Sequence, residues 1–411
     1  MKNRVVITGA GVITPVGNDV ATFFDSLKAG KCGIGPITHF DATDYKAKVA
    51  GEVKGFDPDT AGIERAQGKR MDLFAQYALA AAIQAVADSG IQGTVAPERL
   101  GTYVGSGIGG MQTFINETEK LLNRGPARVS PFFIPMMIGN MGAGNIAIHF
   151  KAQGPCLPVV TACATSTHAI GEAYRCIQCG GADAIIAGGA EATINPLAVA
   201  GFSNMKALSE SADPDAASLP FDARRSGFVM GEGAGVVILE EYEHAKARGA
   251  KIYAEVCGYG NTCDAYHITA PHPEATGAIN AIKLALDEAG YTDEKLYINA
   301  HGTGTPMNDK VETIAIKAVL GEEKARAALI SSTKSMTGHM LGAAGAVECV
   351  AAMLALRDGV IPPTLHLDAP DPACDLNYVP NEAVKADIQL ALSSSLGFGG
   401  HNAVLALRKC L

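Results

Sequence analysis

No run of the chain approaches the roughly 18 uninterrupted apolar residues that a membrane-spanning helix requires. The first apolar stretch, Val5-Val6-Ile7, is too short for a secretory leader. Together these point to a cytoplasmic protein with no membrane insertion. A basic excess is also missing: 33 Lys and Arg face 42 Asp and Glu, for a net charge of −9. That balance argues against a nucleic-acid partner. The ten cysteines are scattered, so they read as free thiols rather than a disulfide framework. Cys176-x-x-Cys179 has metal-like spacing, but with no second pair and a helical setting it reads as structural. The chain lacks a Gly-x-Ser-x-Gly elbow. Its Gly-rich turns, Gly107–Gly110 and Gly231–Gly235, match neither a phosphate-binding loop nor a dinucleotide fingerprint. No Pro- or Ser-rich linker divides the chain.

What is present is a 411-residue, 48% hydrophobic sequence with 47 glycines, the composition of a well-packed protein with many tight turns. Strand and helix patterns alternate, which predicts an α/β fold. The pattern predicts strands at residues 3–8, 100–105, 159–162, 184–187 and 235–239. It predicts helices at 71–89, 135–149 and 164–178. After Gly249 the order starts again. Strands are predicted at 251–258, 297–300, 329–332, 388–395 and 403–407, and helices at 275–289, 308–320 and 340–357. We therefore expect two similar halves, residues 1–250 and 251–411, sharing one body.

Three reactive side chains stand at turns after apolar runs. Cys163 lies in Val159-Val160-Thr161-Ala162-Cys163-Ala164-Thr165-Ser166. Buried cysteines are usually inert core residues. The surrounding hydroxyls and a helix starting just after Cys163 favour a second reading, a nucleophile whose pKa the helix N-terminus depresses. His301 opens His301-Gly302-Thr303-Gly304-Thr305, and His339 closes Lys334-Ser335-Met336-Thr337-Gly338-His339. Each is either a packed histidine or a group facing a polar ligand. Asn308, Asp309 and Glu312 read as an N-cap and first-turn carboxylates. Glu348 interrupts an apolar helix, so it should be buried and paired, with Lys334 as partner.

These motifs, with Gly397-Phe398-Gly399-Gly400-His401-Asn402, Pro220-Phe221-Asp222 and Gly227–Gly233, closely resemble the β-ketoacyl synthases. The likeness is strongest to the elongating β-ketoacyl-[acyl-carrier-protein] synthases of bacterial type II fatty acid synthesis. The resemblance implies a thiolase-like fold, with two related α/β halves in five α-β-α-β-α layers, and a homodimer. It implies that Cys163 accepts a fatty acyl chain from acyl carrier protein. His301 and His339 then stabilise the enolate formed when malonyl-carrier protein loses CO2. The backbone N–H groups of Cys163 and Phe398 would form an oxyanion hole, and Lys334, supported by Glu348, would hold the His339 turn. Thr303 and Thr305 would bind the phosphopantetheine arm, with Gly399 beside the gate residue Phe398. Ile108, Ala162, Phe202 and Leu341 would line the acyl tunnel. Arg65, Lys69, Arg70, Arg124, Arg128 and Lys206 would dock the acidic carrier. No metal or organic cofactor is implied.

Some positions depart from the fatty-acid pattern. Gly304 stands where many such synthases carry Ser, a form common in polyketide ketosynthases. His401 replaces a frequent Thr, and Ser395-Leu396 a frequent Asn-Ser or Ser-Phe. The alternatives are therefore a ketosynthase of a polyketide or specialised lipid pathway, or a non-catalytic chain-length partner subunit. The intact Cys163 disfavours the subunit. A degradative thiolase, with its Cys-His-Cys set, is disfavoured as well.

Overall fold

The structure, a computed structural model, describes residues 2–410. Nine strands form its main sheet: β1 (Val5–Ile13), β2 (Leu100–Gly105), β3 (Ala184–Glu191), β4 (Gly233–Glu241), β5 (Ala254–Cys263), β6 (Leu296–Asn299), β7 (Leu329–Ser331), β8 (Leu390–Gly397) and β9 (His401–Arg408). Their spatial order is β2-β3-β4-β1-β5-β9-β8-β6-β7. Helices α1 (Leu73–Ser89), α2 (Met111–Arg124), α3 (Met141–Phe150), α4 (Thr165–Gln178), α5 (Thr276–Ala289), α6 (Pro306–Leu320) and α7 (Ala344–Asp358) account for most of the remaining ordered backbone.

The pairing pattern repeats. On one side β2 runs parallel to β3, β3 antiparallel to β4, and β4 antiparallel to β1. On the other β6 runs parallel to β8, β8 antiparallel to β9, and β9 antiparallel to β5. A short antiparallel pairing of β1 with β5 joins the two sets. This is the strand–helix repeat read from the sequence, now visible as hydrogen bonding.

Side chains alternate between layers with the period of a strand. In β4, Ala234, Val236 and Ile238 face α1, while Val237 and Leu239 face inward. In β9, Val404 and Ala406 pack with α5 and α6, while Ala403, Leu405 and Leu407 face the centre. The central layer is α4 and α7. The outer layers are α1 with α3 on one side and α5 with α6 on the other. These are the five expected layers.

Two expectations differ from the structure. Residues 159–162 form no strand; the chain just before them makes a single bridge to β2, Thr102 with Cys156, and Ala162 already opens a 3-10 turn. The apolar side chains of this run read as a central strand, yet Val160 is exposed. The helix expected over 135–149 is two helices, Phe133–Met137 and α3, broken at Ile138–Asn140.

The central helices meet at Gly345. A Cβ there would lie 1.8 Å from Thr167 Oγ1 of α4. Ser166 Oγ accepts from Ala346 N at 2.9 Å across the same contact. Gly345→Ala is expected to lower stability by about 1–3 kcal/mol through overpacking. Gly201→Ala, at a position with nothing within 4 Å of the new Cβ, should be neutral or slightly stabilising. Urea midpoints for the two variants check this; equal midpoints would contradict the packing account.

Candidate active site

Cys163 sits in a single 3-10 turn, Ala162–Ala164, immediately before α4. Ala162 holds φ at +50°, the left-handed region that costs a non-glycine residue about 1–2 kcal/mol. Strain of this kind persists only where its surroundings enforce it. Here Thr161 N donates to Thr165 Oγ1 at 2.9 Å, and Ala164 N donates to Thr161 O at 3.1 Å. Beneath the turn His168 Nδ1 meets Thr161 Oγ1 at 2.8 Å, and His168 Nε2 meets Asn261 Oδ1 at 3.0 Å. The amide carbonyl takes an N–H, so Nε2 carries the proton and Nδ1 accepts from the threonine hydroxyl. The end of β8 lies directly on this turn. A Cβ on Gly397 would come within 2.7 Å of Thr161 O, so glycine permits the approach. That approach aims the Phe398 backbone N–H at the Cys163 sulfur.

His301 follows β6. Its N–H and that of Gly302 donate to the two oxygens of Glu312 on α6, at 2.7 and 2.8 Å. Asp309 takes the N–H groups of Phe221 and Gly304, at 2.8 and 3.3 Å. The α6 N-cap is Thr305, not Asn308; Asp309 does stand in the first turn, Glu312 lies one turn further on, and both carboxylates clamp loop backbone. His339 is fixed through its own backbone, its N–H donating to Val229 O at 2.7 Å and its carbonyl accepting from Gly231 at 2.8 Å. The two imidazoles stand edge to face, with ring centroids 5.3 Å apart. Each Nδ1 is buried without a protein partner, which leaves Nε2 to face the cavity.

Lys334 and Glu348 form a fully buried ion pair, as the sequence suggested. Burial pushes the Glu348 carboxyl up, opposed by the Lys334 charge. Both histidines lie well below their ordinary range, first because they are buried and then because Lys334 is close. At neutral pH both rings are therefore uncharged, with one N–H each. The Cys163 thiol departs from expectation. Burial pushes it up to about 12, and the opposing pull of Lys334 and the Phe398 N–H does not compensate. The expected depression of its pKa at the helix N-terminus is not met, because desolvation in the closed pocket is the larger effect.

A cavity of about 460 Å³ collects Cys163, His301, His339, Thr303, Thr305, Phe398, Phe202 and Lys206 in its lining. Leu341 and Phe202 pack with Cys163 in an adjoining apolar cluster. Ala162 and Gly399 stand beside the cavity in sequence without lining it, and Ile108 is exposed beyond the end of β2. Of the six basic residues, only Lys206 lines the cavity; Arg70 stacks on Phe132, and the others stand on surface segments elsewhere.

The family model for the β-ketoacyl synthase N-terminal domain matches residues 2–245, and that for the C-terminal domain matches residues 253–368. The chain belongs to the β-ketoacyl synthase family. It is 51% identical over 411 residues to a 3-oxoacyl-[acyl-carrier-protein] synthase 2 of a Synechocystis species, covering 99% of this chain and 98% of that one. It is 50% identical over 410 residues to the protein of the same name from Staphylococcus aureus, covering 99% of each. Among solved structures, a type II polyketide ketosynthase in complex with its acyl carrier protein superposes with a TM-score of 0.91. That match has 34% identity and full coverage of both chains. The fold is thus the thiolase-like ketosynthase fold.

Within this family fold, one buried acid escaped the sequence reading. Glu191, at the end of β3, accepts from Ser106 Oγ and from the N–H groups of Gly107, Ile108 and Gly342, at 2.9 to 3.3 Å. It ties the turn after β2 to the turn before α7, next to Cys163, and burial pushes it up to about 7. The signal that exposed Glu348, a carboxylate ending or interrupting an apolar run, was present here too.

With the thiol near 12, alkylation of Cys163 by iodoacetamide should rise about tenfold per pH unit between pH 7 and 9. Peptide mapping of the labelled residue follows this. A plateau near neutral pH would contradict the dominance of burial.

Proposed function

We propose that the chain carries out the decarboxylative Claisen condensation of fatty acid elongation. In this reading it joins malonyl-acyl carrier protein to a Cys163-bound acyl chain and releases CO2 and β-ketoacyl-acyl carrier protein. The observation that carries the reading is the convergence of one buried thiol and two uncharged imidazoles on a single cavity.

Cys163 sulfur attacks the acyl thioester carbonyl, and the departing carrier thiol takes up the proton that Cys163 gives up. The oxyanion of this step is held by the N–H groups of Cys163 and Phe398. Malonyl-carrier protein then enters with its arm along Thr303 and Thr305, Gly399 giving the Phe398 gate room to turn. Loss of CO2 leaves an enolate whose oxygen accepts from His301 and His339. Neutral rings suit this, since each donates one hydrogen bond without giving up a proton. The enolate carbon attacks the acyl carbon, and the Cys163 sulfur leaves as a thiolate that takes a proton from solvent to restore the thiol. Lys334 and Glu348 keep the His339 turn in register. Two histidines without a side-chain carboxylate partner fit two donors better than a base and its orienting acid. The same geometry also serves the polyketide reading, which Gly304 favours and which differs in substrate rather than chemistry.

The acyl chain extends from Cys163 past Ala162, Phe202 and Leu341, and Ile108 limits its reach. Arg65, Lys69, Arg70, Arg124, Arg128 and Lys206 offer positive charge to the carrier. A homodimer accounts for the exposed apolar row along the β2 edge, where Leu157, Val160 and Ile108 need cover. The two halves divide at residue 250. The setting is cytoplasmic.

Incubation with acyl-carrier protein should add one acyl mass per chain in the wild type and none in Cys163→Ala, read by intact-protein mass spectrometry. Equal labelling of both would sink the assignment. His339→Ala should still accept the acyl group but release CO2 from malonyl-carrier protein at least 100-fold more slowly, on the order of one lost transition-state donor. Undiminished release would remove His339 from the enolate step.

A further inference from the structure

A second cluster of reactive side chains lies outside the cavity. Cys32 Sγ, an Asp215 oxygen and a His366 ring nitrogen all come within 4.8 Å of one another, the only such grouping of three among the described residues. His366 Nε2 stands 3.7 Å from Asp215 Oδ1. That nitrogen is shielded from solvent and has no hydrogen-bond partner. The backbone that carries it is pinned: His366 holds φ at +61°, and its carbonyl accepts from Arg224 Nη2 at 3.1 Å. Backbone strain of this kind gathers at functional sites, and here it carries an unpartnered ring nitrogen.

We propose that Cys32, Asp215 and His366 bind one zinc-class divalent cation. Tetrahedral zinc with N, O and S ligands places its donor atoms about 3.3–3.8 Å apart. The histidine–aspartate spacing already lies there, and Asp215 is exposed and can swing to close the remainder. Thiolate with imidazole and carboxylate is a borderline-soft set, which selects zinc or cobalt over the all-oxygen coordination of magnesium or calcium. Three protein ligands leave a fourth position for water. On binding, the Cys32 thiol proton passes to solvent and the sulfur–metal bond replaces it.

The site is wired to the catalytic turn. Gly33, next to Cys32, donates to Met336 O at 2.8 Å. Leu365, next to His366, donates to Ser335 Oγ at 2.9 Å. Ser218, three residues after Asp215, donates to Lys334 O at 2.8 Å. Each ligand's neighbourhood thus grips the Lys334–Thr337 helical turn, and a cation joining the three would hold that turn as one unit.

The test uses the full-length chain carrying Cys163→Ala, so that the cavity thiol cannot hold metal. Titration with Co²⁺ should saturate at one ion per chain, with tetrahedral visible bands and a thiolate-to-cobalt charge-transfer band. Adding Cys32→Ser should abolish the charge-transfer band. His366→Asn and Asp215→Asn should each weaken binding at least tenfold, with thermal melts in chelator verifying that the variants are folded. Asp215, being exposed, is the variant least exposed to misfolding. Zn²⁺ should displace the cobalt and slow hydrogen exchange at Ser335 and Met336. No charge-transfer band at stoichiometric Co²⁺, or a band that persists in Cys32→Ser, would overturn the site. Unchanged exchange at the turn would overturn the wiring.

Discussion

A lysine ammonium sealed in the protein interior has to be neutralised, and the Lys334–Glu348 pair is the interaction on which the rest of the site depends. Removing one partner of such a pair typically costs about 3–5 kcal/mol, because the other charge is stranded. The pair has more than a packing role here. Its positive end reaches Cys163, His301, His339 and Glu312, and every one of their ionisation states carries its imprint. A positive charge among dry imidazoles keeps them from taking a proton. The site can thus hold two hydrogen-bond donors side by side without holding two like charges.

Geometry follows from the layers around that pair. Lys334 ends up under the cavity because β7 delivers its turn there, and Glu348 because α7 runs through the centre of the molecule. The close helix contact at Gly345 sets the position of α7 against α4, whose first residues support Cys163. Two further buried acids, Glu191 and Glu312, lock loop backbone through its N–H groups. The cost of the left-handed Ala162 is small beside these restraints, which is why a strained alanine can present the thiol.

Much of this was legible in the residues. The alternating pattern placed all nine main strands and one, at 159–162, that does not form; the motifs singled out Cys163, His301, His339 and the buried Lys334–Glu348 pair. What was not legible had physical causes. The 159–162 run is apolar on a surface rather than in a core, and composition alone cannot tell a covered edge from a central strand. Glu191 and His168 act through partners distant in sequence, Gly342 and Asn261 among them, and short-range patterns carry no record of those. The Cys163 thiol departs from the helix-terminus expectation because desolvation is a property of the assembled pocket, which no local pattern records. The Cys32–Asp215–His366 grouping joins segments 151 or more residues apart, so no spacing rule announced it.

The central claim is that both imidazoles are uncharged donors held so by burial and by the Lys334 charge. Nitrogen-15 NMR of labelled histidines, titrated from pH 8 to 5.5, tests it most directly. Both rings should remain neutral across that range in the wild-type chain, and both should shift towards protonation when Lys334→Met and Glu348→Leu replace the pair together. Titration of His301 or His339 near pH 6.5 in the wild type, or resonances indifferent to loss of the pair, would contradict the account.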